Sequence, residues 1–413
     1  MLDVKKIRKD FPMLDNKIMQ GHKLVYFDSA ATSLKPKCVI EAMNDYYFNY
    51  NSNVHRGDYD LAAKADSNYE KTRLTLAKFL NCDFKEIVFT SGTTQSLNIV
   101  AFGYAMHNLK EGDEIILKEA EHASNILPWF EVANTLKVKI VFAPLNEKGQ
   151  VTLEAIKSVI TKNTKLISIA YVSNVLGSVN DVKSIIKYAH QNNILVVVDA
   201  AQAVAHMKID IKELDCDFLA FSAHKMCGPT GIGVLYGKYD LLLKTNSLQY
   251  GGGMNVKFDN CQNMLIKKPP YKFEGGTPAI AEIIGFNKAI EYLEEIGMEN
   301  IHQYEKELKE YAIKKLEKLD NVIVYNKDND TGIITFNIKD VFCQDAGTFF
   351  NSKGIALRSG HHCAKLLPNH LNVVGTVRAS LYFYNTKEEI DTFVEVCKHG
   401  GDFLDAFFKW SND

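Results

Sequence analysis

Four short stretches of this 413-residue chain hold side chains whose types and spacing suit chemistry. RSGHHCA (358–364) gathers Arg358, His361, His362 and Cys363. Such a cluster reads as a metal site, a reactive thiol or a polar loop. A metal site is not expected: adjacent residues do not all point at one tetrahedral ion, and no second cluster supplies a fourth ligand. A cysteine attacks only as its thiolate, which neighbouring positive charge favours. Arg358, and His361 and His362 if protonated, are candidates for that charge. FLAFSAHKMCGPTGIG (218–233) brings Ser222, His224 and Lys225 directly after an apolar run. A lysine kept near a core loses basicity and becomes the amine nucleophile that a Schiff base with an aldehyde cofactor requires. The alternative is a lysine that snorkels to water.

VVVDAAQ (196–202) ends an apolar strand on Asp199. Ligands of open parallel sheets bind outside the carboxyl ends of the strands, so Asp199 is a ligand group or the N-cap of the next helix. IVFTSGTTQSLNIVA (87–101) runs from strand through Ser91-Gly92-Thr93-Thr94 into a helix. Backbone N–H groups and hydroxyls at a helix start suit an anion, or the hydroxyls merely cap the helix. GPTGIG (228–233) precedes no helix and is not expected to bind phosphate. Together the lysine, the aspartate and the strand–turn–helix fit one ligand, pyridoxal phosphate. The lysine holds the aldehyde, the turn holds the phosphate, and the aspartate keeps the ring nitrogen protonated.

The elements that must position these residues follow from periodicity. Strands are expected at 86–90, 114–118, 138–143, 164–170, 194–199, 218–222 and 231–237, with helices such as 152–160 and 181–192 between most of them. Strands apolar throughout and separated by helices predict a mostly parallel sheet covered on both faces, an α/β domain of the doubly wound kind. After residue 280 come helices at 280–296 and 300–318, strands near 322–325, 332–338, 355–358 and 376–384, and a final helix opened by Thr386 and Glu389. The expected division is a large α/β domain over 21–280 and a smaller α+β domain over 281–413, joined by residues 1–20.

A net charge of −2 with scattered basic residues gives no reason to expect nucleic acid or an anionic membrane as partner. No run approaches the roughly 18–20 apolar residues of a membrane helix, and MLDVKKIRKDFP lacks a signal-peptide core. A cytoplasmic protein is expected. The eight cysteines are dispersed without a CxxC, so neither a disulfide framework nor a four-thiolate zinc site is expected.

The ordered set SGTT, EAEHASNILPW, SNVLGSVND, VVVDAAQAVAH, SAHKMCGPTGIG, FEGGTP, RSGHHCA and VRASLYFYNT resembles the group II cysteine desulfurases, most closely the SufS type of iron–sulfur cluster assembly. The likeness spans nearly the whole chain. It implies a fold-type I pyridoxal-phosphate enzyme with a seven-stranded large sheet, acting as a homodimer on L-cysteine to yield L-alanine and a persulfide on Cys363. By resemblance, Lys225 carries the cofactor, Asp199 meets the ring nitrogen, Gln202 the phenolic oxygen, and His122 stacks on the ring and moves protons. Thr93, Thr94, Ser222 and His224 hold the phosphate, and Thr277 reaches the phosphate of the partner subunit. Arg378 and Asn174 bind the substrate carboxylate, with Arg358 and His55 nearby.

The resemblance also implies a SufE-like or SufU-like sulfur acceptor and, indirectly, iron–sulfur scaffold proteins. Gln95, Ser91 and Gly275 stand where the family often has glutamate, arginine and alanine. The alternatives are a selenocysteine lyase, another lyase or aminotransferase of the same fold, and a non-catalytic assembly protein.

Overall fold

The computed structural model describes residues 2–329 and 331–400. Seven strands form one sheet in the order 87–90, 233–237, 218–222, 195–199, 164–170, 114–118, 139–143. The last five in that order run parallel. Gly233–Gly237 runs antiparallel to both neighbours. Alternate residues of one strand serve opposite faces. Val196, Val198, Leu219 and Phe221 enter one core, while Val197, Phe218 and Ala220 enter the other. Both faces are therefore covered, which is why these strands are apolar throughout. Ala170, Asp199 and Ser222 are strand-terminal residues of adjacent parallel strands.

A second, antiparallel sheet takes the order 322–324, 333–338, 376–380, 358–360. It has its own core around Leu308, Phe336, Phe350 and Phe393. Two expectations change here. The strand expected at 355–358 is two: Ile355–Ala356 pairs with Val25–Tyr26, and Arg358–Gly360 pairs with Thr376–Ser380. Gly360 ends the second of these at φ +106°, and the loop that carries Cys363 follows it. The strand expected to reach residue 384 stops at Ser380, because Leu381–Tyr384 turn back inward, with Asn385 Oδ1 accepting the Tyr382 N–H at 2.8 Å.

The helix Ile280–Ile296 packs its apolar stripe into the core of the large sheet. Thr386 and Glu389 form the expected capping box. Near the N-terminus, Phe11 is fully buried against Tyr292, Phe383 and Tyr384, and Arg8 pairs with Glu389 at 2.8 Å. The domain division at residue 280 is kept as a proposal, and its end, 401–413, lies outside the described residues. Among the described residues no helix is long and apolar enough to cross a membrane.

Candidate active site

A cleft opens where the parallel strands end. Thr93, Thr94, His122, Asn174, Asp199, Gln202, Ser222, His224, Lys225, Arg358 and Arg378 all line it. The strand Phe218–Ser222 passes into a tight turn, Ala223–Lys225. Burial pushes the Lys225 amine down to about 8, with Arg378 and Arg358 adding to the effect and Asp199 opposing it. Asp199 Oδ1 accepts the Ala201 N–H at 2.9 Å, so this carboxylate both shapes the turn and faces the cleft. Gln202 Nε2 donates to Ala30 O at 2.8 Å, leaving a second amide hydrogen, while its buried Oε1 has no partner.

Both imidazoles of the floor are neutral. Burial, then Lys225 and Lys35, pushes His224 down to about 4. Burial and Lys225 also hold His122 below its ordinary value. His122 Nδ1 accepts the Ser124 N–H at 3.1 Å, so its proton sits on Nε2.

At the corner beside them, Ser222 Oγ lies 2.8 Å from Thr93 N and 2.7 Å from Thr93 Oγ1, and Thr94 Oγ1 lies 2.8 Å from Ser124 Oγ. Gln95 Oε1 accepts the Ser91 N–H at 2.6 Å, which gives this departure from the family pattern a local role. The glycines of GPTGIG matter too: a Cβ on Gly233 would lie 2.4 Å from Gly92 Cα and 2.6 Å from Phe221 O. Only glycine there lets the SGTT turn approach the strand that leads to Lys225.

The opposite wall is the second sheet. Arg378 is buried on the strand Thr376–Ser380. Its Nη1 donates to Asn174 O at 2.8 Å, its Nη2 pairs with Asp28 Oδ1 at 3.0 Å, and its Nε has no partner. Asn174 Nδ2 in turn donates to His362 O at 2.8 Å. Cys363 is exposed, outside the cleft lining. Its carbonyl accepts the Ala123 N–H at 2.8 Å, and Arg358 Nη2 lies 3.8 Å from its sulfur. Gly360, His362 and Cys363 all have left-handed φ, +106°, +51° and +59°.

One expectation is corrected here. Burial, then Arg378, pushes His362 down to about 3. Its Nε2–H points at Thr376 O and Oγ1, each 3.0 Å away. His362 is a neutral anchor, not a positive neighbour for the thiol.

The family model for aminotransferase class V matches residues 25–393. The chain belongs to the class-V aminotransferase family. It is 47% identical over 395 residues to the probable cysteine desulfurase of Halalkalibacterium halodurans, covering 95% of this chain and 97% of that one. Among solved structures, the apo cysteine desulfurase of Thermococcus onnurineus matches with a TM-score of 0.91 at 38% identity, covering 97% of this chain and 98% of that one. The cysteine desulfurase CsdA of Escherichia coli matches with a TM-score of 0.90 at 36% identity, covering 97% and 99%.

Besides Cys363, two predicted residues of this class-V chain lie outside the cleft lining. His55 lines a separate cavity with Arg56, Tyr271 and Glu274. Thr277 sits beside it and accepts from Asn53 Nδ2 at 3.3 Å. Sequence reasoning also missed residues. Asp28 and Ala30 come from a small-residue run, DSAATS, whose only signal is its position after a short strand. Lys118 and Glu121 form a fully buried pair 3.6 Å apart. Burial pushes the Lys118 amine down and the Glu121 carboxyl up. Glu121 accepts from Ala170 N and Asn125 Nδ2, both at 2.8 Å, and so fixes the turn that carries His122. A lysine closing an apolar strand, EIILK, was the available signal.

Proposed function

We propose that this chain is a pyridoxal-phosphate-dependent cysteine desulfurase. It converts L-cysteine to L-alanine, leaves the sulfur as a persulfide on Cys363 and supplies iron–sulfur cluster assembly. One observation carries this reading: an amine and a carboxylate, Lys225 and Asp199, face a cleft into which the loop of an exposed thiol is bonded from the side.

The residues present fit the cofactor. Asp199 suits a protonated ring nitrogen. Gln202 keeps an unused amide hydrogen and an orphaned oxygen. Thr93, Thr94 and Ser222 offer hydroxyls for the phosphate, with neutral His224 beside them. Bound there by Lys225, pyridoxal phosphate supplies an electron sink for the substrate α-carbon.

The protein's own groups account for the rest. Arg378, with a free Nε and with Asn174 beside it, takes the substrate carboxylate, a charge-assisted contact. Lys225, with its amine near 8, exchanges a proton with the α-carbon close to neutral pH. His122 would lie over the ring, and its Nε2 carries a proton that could be transferred. The Cys363 thiolate attacks the substrate sulfur, forming an S–S bond as the C–S bond breaks. The C–S electron pair stays with carbon, which is protonated to give alanine. Arg358 supplies positive charge beside the thiol.

The same reading assigns His55 and Thr277 to the cleft of the partner subunit in a homodimer. Their position on a separate cavity, away from this chain's own cleft, supports that assignment. A SufE-like or SufU-like protein takes the sulfur, and the reaction is cytoplasmic. L-selenocysteine is a second candidate substrate.

The test is Cys363→Ala. Loss of alanine production from cysteine, with the visible band of the bound cofactor retained, is expected. Sustained alanine production would instead mark a lyase that does not need the thiol.

A further inference from the structure

A second amine lies behind the turn that carries Lys225. Lys35 is half-buried on the segment that follows the DSAATS run. Its Nζ meets three acceptors: Ser33 O at 2.5 Å, His224 O at 2.9 Å and Thr32 Oγ1 at 3.3 Å. These match the three protons of an ammonium group. The His224 carbonyl is itself the meeting point of four donors. Besides Lys35 it receives Ser33 N at 2.9 Å, Thr32 Oγ1 at 3.1 Å and Ser33 Oγ at 3.1 Å. Ser33 Oγ also accepts the Cys227 N–H at 2.7 Å. Residues 32–35 thus grip the main chain on both sides of Lys225.

We propose that Lys35 is a positioning residue for Lys225: its ammonium clamps the His224 carbonyl and so fixes the Lys225 amine at the cleft floor. This rests on the reading of Lys225 as the amine that holds the cofactor.

The placement carries a cost that solubility alone does not explain. Burial pushes the Lys35 amine down to about 8, whereas a surface lysine keeps its charge in water. Elsewhere the chain uses a buried lysine in the same way but away from the cleft. Lys309 Nζ donates to Asn326 O at 2.7 Å and Asn329 O at 2.6 Å in the second domain. Lys309 therefore serves as the control, a carbonyl-clamping lysine outside the cleft lining.

The experiment measures how fast hydroxylamine strips the cofactor from the holoenzyme, followed by visible absorbance, alongside Tm, kcat and KM. Lys35→Met is expected to release cofactor about tenfold faster, the scale of one charge-assisted hydrogen bond. It should lower kcat and leave KM for cysteine unchanged, since Arg378 is untouched. Lys35→Arg, which keeps the charge and the donors, is expected to restore slow release. Lys309→Met should lower Tm without changing release.

Release at the wild-type rate in Lys35→Met, or equal acceleration in Lys309→Met, overturns the proposal. Should Lys35→Met not accumulate as folded holoenzyme, Lys35→Gln is read in its place with the same expected direction. Lys225→Ala separates the two levels. A visible cofactor band retained there sinks the underlying reading. A band lost there, with Lys35→Met unchanged, sinks only the role of Lys35.

Discussion

The floor and the far wall of the cleft are built by different means. The floor groups, Asp199, Ser222 and Lys225, stand at or just after strand ends, so sheet register places them. The far wall carries Cys363 on a loop that holds its shape through left-handed residues and ties to other segments: Cys363 O to Ala123 N, His362 O to Asn174 Nδ2, and His362 Nε2 to Thr376. The floor resists displacement because moving it means breaking the sheet. The loop moves if a few hydrogen bonds give, each contributing about 1 kcal/mol. On the proposed reading, the first arrangement suits groups that hold a cofactor, and the second suits a thiol that passes its sulfur to an acceptor.

That contrast can be broken from either side. The largest effect is expected from Lys225→Ala, which should abolish both alanine formation and the visible cofactor band, whereas a change confined to the loop should spare the band. Next comes Arg378→Lys, which loses the planar fork that meets a carboxylate. KM for cysteine should rise about 10- to 100-fold, the scale of a hydrogen bond to a charged group, with cofactor content unchanged in steady-state and absorbance measurements.

Gly233→Ala should cost about 1–3 kcal/mol in urea unfolding, as overpacking does, and should weaken cofactor retention by pushing the SGTT turn away. The smallest effect concerns acid. His362 titrates near 3 in the folded chain against about 6.5 unfolded, so the unfolded state binds more protons between those values. Its contribution is full above about pH 6.5 and is lost as pH falls toward 3. His362→Gln should therefore flatten part of the decline in unfolding free energy between pH 6.5 and 4.

The floor was legible in the sequence because strand ends are marked by a change of residue type. EIILK, TKLISIA and FLAFS coincide with observed strands, and Asp199, Ser222 and Lys225 stand where apolar runs stop. The loop was legible only as a cluster of reactive types. Nothing in RSGHHCA tells that His362 turns inward to Thr376 while Cys363 turns outward, because two consecutive left-handed residues outside glycine carry no clear residue signature. Asp28, Ala30 and Lys35 were missed for a related reason. Their roles come from contacts made across 172 or more residues of sequence, and local pattern does not encode such contacts. GPTGIG was not expected to hold a phosphate, yet its last glycine proves necessary for backbone approach, a need visible only in three dimensions.

The hydrogen bond from Ala123 N to the Cys363 carbonyl joins two tasks that a reaction scheme keeps apart. Ala123 follows His122 in the chain, so the turn that carries this imidazole and the loop that carries Cys363 share one mechanical link. On the proposed reading, an acceptor that draws the loop outward would pull on the imidazole at the same moment. Unloading the thiol and resetting the imidazole would then be a single motion.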